Sequence, residues 1–121
     1  MSDVTPVSAD PACLFCKIVA GTIPAARVAE TPAAIAFRDI APQAPVHLLV
    51  VPRVHVASLD AAGDAALLGS VLALARQVAR EQGIAEAGYR CVINTGVDGG
   101  QTVGHLHVHV LGGRALGWPP G

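Results

Sequence analysis

A chain of 121 residues has room for one real core and not for two, so whatever it does is done at a single site per subunit. Apolar residues make up 52% of the chain and charged residues only 14%, a greasy balance that points to apolar surface covered by another subunit. The net charge is −1 and the seven Arg and single Lys17 are scattered, which excludes the basic footprint of a nucleic-acid binder.

In chain order, MSDVTPVSADPA is polar, acidic and proline-bearing, so residues 1–11 read as a flexible tail rather than a signal peptide, and the expected location is cytoplasmic. CLFCKIV (13–19) suits a short helix or turn that stops at Gly21. Strands are expected over 26–30, 33–37 and 46–51, the last entered through the proline loop DIAPQAP (39–45) and closed by Pro52. Between Asp64 and Gln82 apolar residues follow helical periodicity, with Asp64 as cap and Gly83 past the end. The apolar run 65–75 is broken by Gly69 and Ser70, well short of the ~20 residues a membrane span needs. The surface made by Leu67, Leu68, Val71, Leu72, Leu74 and Val78 is wider than one sheet contact requires, so this helix either packs against a second subunit or is buried all round. Strands over 89–94 and 105–111, joined by glycine-rich TGVDGGQTVG, make a hairpin. Strands with few helices between them define an α+β domain with an antiparallel sheet.

Three of the five histidines alternate strictly in His105-Leu106-His107-Val108-His109. In a strand, positions two apart share a face, which would line up three imidazoles ~6.6 Å apart with Leu106, Val108 and Val110 turned to the core. A merely solvated strand face would more often carry Lys, Glu or Thr, so the histidines are read as chemistry: neutral nucleophiles, acids or metal ligands near pH 7. H-x-H is equally good spacing for a metal. Cys13-x-x-Cys16 separately asks about metal or redox chemistry, while Cys91, alone in a strand, reads as core. The glycines of NTGVDGGQTVG let backbone N–H groups approach a phosphate, although a hairpin connection commonly needs glycine anyway. Phe15 and Phe37, taken alone, would be ordinary core residues.

His, apolar, His, apolar, His, apolar, apolar, followed by GGR and a terminal WPPG, resembles the histidine triad (HIT) family, and within it the branch of histidine triad nucleotide-binding proteins. The resemblance runs from Cys13 to Gly121 through LFCKIVAGTIPA, AFRDIAPQAPVHLLVVPRVH and NTGVDGGQTVGH, making 12–121 one HIT domain. It implies a five-stranded antiparallel sheet with one long and one short helix, and a homodimer with a continuous ten-stranded sheet.

The resemblance further implies hydrolysis of the P–N bond in purine nucleoside 5′-phosphoramidates, conjugates of AMP or GMP. His107 would be the nucleophile that forms a nucleotidyl-histidine, with His109, His47 and His105 completing the catalytic set. Asn94, Gln101 and Thr102 would contact phosphate or leaving group. Leu14, Phe15, Ile18, Phe37, Arg38, Asp39 and Ile40 would hold the nucleoside, Asp39 accepting from the ribose hydroxyls. Trp118 would reach the partner subunit's site. Catalysis would need no cofactor, and Cys13, Cys16, His55 and His105 would form a Cys₂His₂ site for structural zinc. The chain departs from its relatives at Thr102 (commonly serine), Arg38 (often histidine), Gly104 (aromatic) and Gly117 (sometimes histidine). Two other readings remain: a dinucleoside polyphosphate hydrolase or nucleotidyl transferase, and a nucleotide- or zinc-binding interaction protein without turnover.

Overall fold

The computed structural model describes residues 9–121. The expected N-terminal tail lies, for residues 1–8, outside the described residues. Helix α1 (Leu14–Ala20) begins where the Cys13 sulfur accepts the N–H of Cys16, and ends at Gly21, whose φ of +80° is the left-handed cap that glycine adopts without strain. Strands β1 (Arg27–Glu30), β2 (Ala34–Arg38) and β3 (Val46–Pro52) follow, then helix α2 (Ala65–Glu81) and strands β4 (Tyr89–Val92) and β5 (Val108–Gly112). Asp64 caps α2 by accepting the N–H groups of Ala66 and Leu67.

All strand pairs are antiparallel, in the order β1-β2-β3-β5-β4. Alternation along the strands builds two different faces. Ala34, Ala36, Leu48, Val50, Val108 and Val110 lie under Val71, Leu74, Ala75, Val78 and Ala79 of α2. Ile35, Phe37, Leu49 and Val51 face the other way and meet Phe15, Cys16 and Ile18 of α1. Each large apolar side chain so buried is worth about 1.5–3 kcal/mol. The small residues Ala34 and Ala36 leave α2 close to the sheet, whereas short α1 covers only part of its face. His47, Leu49 and His109 share the α1 face, and Leu49 pairs directly with His109 in the β3–β5 register.

Three expectations need correction. Cys91, read as core, is exposed on β4 at the edge of the sheet. The strand expected over 105–111 starts only at Val108, because the next partner along β3 includes Pro52, which has no N–H to give and whose carbonyl faces the His105 ring instead. The inward turn of Leu106, Val108 and Val110 nevertheless holds, all three being buried. Helix α2 is not buried all round, since Leu72 stays 48% exposed. Among the described residues no helix is long and apolar enough to cross a membrane.

Candidate active site

The partially covered α1 face of the sheet leaves a cavity of about 300 Å³. Its walls are apolar: Leu14, Phe15 and Ile18 from α1, Ile23, Pro24 and Ala25 from the following turn, Phe37 and Leu49 from the sheet, and Val103. Asp39, Thr102, His107 and His109 are its polar groups, with Arg38 and Ile40 at its edge. The Phe15 ring stands edge-on to Phe37 at 5.6 Å and to His107 at 5.1 Å. The aromatic pair therefore forms the cavity wall beside the triad.

Backbone groups decide which nitrogen of each histidine carries the proton. His107 Nδ1 lies 2.7 Å from the carbonyl oxygen of His105, an obligatory acceptor, so Nδ1 holds the hydrogen and Nε2 keeps a free lone pair. His47 Nδ1 receives the backbone N–H of Gln43 at 3.0 Å, so its proton sits on Nε2. His47 Nε2 in turn lies 2.9 Å from His109 Nδ1 and 3.4 Å from Asp39 Oδ2. Two N–H hydrogens cannot abut at that distance, so His109 Nδ1 accepts and its proton is on Nε2. His107 and His109 have ring centroids 5.0 Å apart, closer than the ~6.6 Å strand repeat because the rings tilt together.

Burial favours the neutral form of His47 and His109. His109 is pushed down to about 4, first by burial and then by the neighbouring His107 and His47, against the opposing pull of Asp39. Burial also lowers His47, again against Asp39. The site thus presents the Nε2 lone pair of the main-chain-held His107 tautomer and the N–H donor of His109 side by side.

Cys13, Cys16, His55 and His105 form a second cluster at the start of α1, their ligand atoms all within 4.8 Å of one another. His105 is completely buried and its Nε2–H donates to the Pro52 carbonyl at 3.0 Å, which turns an unprotonated Nδ1 toward the sulfurs. That Nδ1 lies 3.3 Å from Cys13 Sγ and 3.6 Å from Cys16 Sγ, and His55 Nδ1 is 3.3 Å from Cys16 Sγ. Zinc bonds of about 2.3 Å to sulfur and 2.0 Å to nitrogen give tetrahedral S···N edges of about 3.5 Å, so these four residues fit the ion. Burial, more than the hydrogen bond that Cys13 adds, raises the Cys16 thiol, and the Asp10 N–H opposes it. Burial drives His105 down to about 4, a nitrogen kept free for a metal.

The structure brings Leu14, Phe15, Ile18, Phe37, Arg38, Asp39, Ile40, Thr102, His107 and His109 to one cavity, and His47 behind them. Gln101 and Asn94 stand elsewhere, and Trp118 belongs, by the resemblance, to the partner subunit's site. Both Gln101 amide hydrogens are taken, by the carbonyls of Ala57 and Val103, and its oxygen accepts from Gly96, so it ties the glycine loop down. Trp118 is 82% exposed, and Asn94 lies outside the cavity lining. Arg38, which alternates with Ala34 and Ala36, sends its guanidinium to Gln82 at the end of α2 instead of inward. Leu49, Ile23, Pro24, Ala25 and Val103 were not singled out from the sequence. Leu49 could have been, since it is two positions from His47 in the same strand.

Comparison with known proteins agrees with this architecture. The HIT domain family model matches residues 20–116, and the chain belongs to that family. An uncharacterized HIT-like protein of Synechococcus elongatus is 54% identical over 110 residues, 89% of this chain and 96% of the relative. Among solved structures, a HIT family hydrolase from Legionella pneumophila superposes with a TM-score of 0.88 at 50% identity, covering 90% of this chain and 99% of that one. A histidine triad nucleotide-binding protein from Candida albicans reaches a TM-score of 0.79 at 31% identity, covering 89% and 83%.

Proposed function

We propose that this chain is a nucleotidyl hydrolase of the nucleotide-binding branch of the family, cleaving the P–N bond of purine nucleoside 5′-phosphoramidates through a nucleotidyl-histidine at His107. The observation that carries the reading is the His107 tautomer: Nδ1–H held on the His105 carbonyl leaves Nε2 with a free lone pair, on the wall of an apolar cavity of nucleoside size. With the base between Phe15, Phe37 and the isoleucines and the ribose hydroxyls on Asp39, the α-phosphorus falls to His107. Nε2 forms a bond to phosphorus as the P–N bond breaks, and the departing amine takes a proton for which His109 Nε2–H is the available donor. Water then attacks the phosphorus and gives a proton to His109 Nε2, which restores the N–H spent on the amine, while the P–Nε2 bond breaks and the nucleoside monophosphate leaves with the lone pair of His107 restored. The apolar walls exclude water and the fixed tautomers need no rearrangement at the moment of reaction. Likeness to the Legionella HIT family hydrolase and the Candida histidine triad nucleotide-binding protein supports hydrolysis and nucleotide binding as the coarse terms of this reading.

Structural zinc belongs to this proposal, held by Cys13, Cys16, His55 and His105. It supplies a cross-link between the start of α1, the segment after β3 and the approach to β5, and no step of hydrolysis runs through it. The proposed form is a homodimer in the cytoplasm: exposed Trp118 and Leu72 and the unpaired edge of β4 are apolar or hydrogen-bonding surface that a second copy would cover.

Steady-state hydrolysis of an adenosine 5′-phosphoramidate bearing a fluorescent amine tests the reading. Wild type turns over and His107→Ala loses at least about 10³-fold in kcat while still binding AMP. AMP binding without turnover in either protein would instead identify a nucleotide-binding module.

A further inference from the structure

The loop Ala41–Pro45, whose Gln43 N–H fixes the His47 tautomer, touches the exit from β5 behind the triad. Gly113 has a φ of +92°, and a Cβ there would stand 2.8 Å from Pro45 Cβ, so only glycine lets the two segments lie this close. Its neighbour Arg114 uses that approach: Nη2 donates to the Gln43 carbonyl at 2.9 Å and Nη1 to the Ala115 carbonyl at 3.0 Å. From the other side, Asp39 Oδ1 accepts the Ala41 N–H at 2.8 Å and the Gln43 side chain donates to the Ala41 carbonyl at 2.9 Å. The clamped residue is the one whose N–H reaches His47 Nδ1.

We propose that the Gln43 backbone N–H, held in place by Arg114, sets the direction of the proton chain from His47 to His109 and so makes Arg114 and Gln43 positioning residues for the reaction. The proposal rests on the hydrolase reading above. A backbone amide can only donate, so it forces the lone pair of His47 to Nδ1 and the hydrogen to Nε2, and His109 is thereby left with its hydrogen on Nε2, free for the reacting group. Without that amide the remaining pull toward a hydrogen on His47 Nε2 is the long 3.4 Å approach of Asp39 Oδ2, and the chain is free to reverse. His47 would carry its hydrogen on Nδ1, accept from His109 Nδ1–H through Nε2, and leave His109 with a bare Nε2 that cannot give the amine its proton.

Gln43→Pro removes the N–H and keeps the carbonyl that Arg114 holds, while Gln43→Ala keeps the N–H and serves as control. Long-range ¹⁵N–¹H correlation spectra of the imidazoles report the tautomers directly and need no substrate. Wild type and Gln43→Ala show both His47 and His109 with hydrogen on Nε2. Gln43→Pro shows both on Nδ1, with kcat down by at least about 10²-fold, KM within about threefold and AMP affinity unchanged. Arg114→Met gives a mixture of tautomers and an intermediate kcat, restored toward wild type in Arg114→Lys; that pair decides the matter if Gln43→Pro does not fold. Unchanged tautomers in Gln43→Pro, or in Arg114→Met where the proline variant fails, overturn the proposal, as does reversal with kcat intact. Absence of turnover in wild type refutes the hydrolase reading instead, and the spectra still decide the tautomer assignment.

Discussion

Acid should unfold this protein through its histidines before its carboxylates. His105 is pushed from 6.5 to about 4 by burial, so between those pH values the unfolded chain binds a proton that the folded one refuses. Stability is therefore complete above about pH 6.5, falls as the pH drops toward 4, and levels off below. At about 1.4 kcal/mol for each pH unit, His105 alone accounts for about 3 kcal/mol. His109 is displaced to the same value but is partly open to solvent, so screening reduces its share to about 1–2 kcal/mol, and His47 acts in the same direction. A loss of about 4–5 kcal/mol is a large part of the 5–15 kcal/mol typical of a small domain. The assay is urea unfolding followed by circular dichroism from pH 7.5 to 4, with chelator present so that metal release does not enter. His105→Asn, which retains a donor for the Pro52 carbonyl, should lose about 3 kcal/mol less over the same range. A wild-type stability that is flat between pH 6.5 and 4.5, or an equal slope in His105→Asn, would refute the reasoning.

Cys16→Ser, which removes one of four ligands, should purify with well under the roughly one zinc per chain expected of wild type and melt lower. Stripping wild type from free zinc at about 1,000 times Kd should cost about 4 kcal/mol, read as a drop in Tm; equal melting of stripped and loaded protein would argue that the cluster holds no ion. Gly99→Ala would place a Cβ 2.2 Å from the Thr95 carbonyl oxygen and 2.8 Å from its nitrogen, both backbone atoms that cannot swing aside. It should destabilise by about 1–3 kcal/mol in a thermal melt, and unaltered stability would mean that the glycine loop can open without loss.

How far the site was legible depended on whether each residue's partner was local. The short helix and its stop at Gly21, the capped helix after Asp64, and the antiparallel strands all follow from patterns within a few residues, and the structure reproduces them to within a residue or two at most ends. The resemblance places Arg38 in the nucleoside pocket, yet its position two residues on from Ala36 in β2 assigns its side chain to the α2 face, where Gln82 receives it. Gln101 could not be read this way. Its three hydrogen-bond partners come from Ala57, Gly96 and Val103, and no pattern in NTGVDGGQTVG brings the Ala57 carbonyl into view.

The triad itself shows why equal spacing does not mean equal role. His105, His107 and His109 repeat at every second residue, but the elements packed against them change along the segment. The first meets Cys13 and Cys16 at the start of α1 and turns an acceptor nitrogen toward two sulfurs. The second lies against Phe15 and donates its Nδ1 hydrogen to the main-chain carbonyl of His105, which leaves a lone pair on Nε2. The third reaches β5 proper, where pairing with Leu49 brings it to His47, and takes its tautomer from a backbone amide in the proline loop. His105 also joins the first two assignments, because its ring closes the Cys₂His₂ cluster while its carbonyl oxygen holds the proton of His107. A shift of α1 that disturbed the cluster would therefore reach His107 through one residue's own backbone, with no further side chain between them.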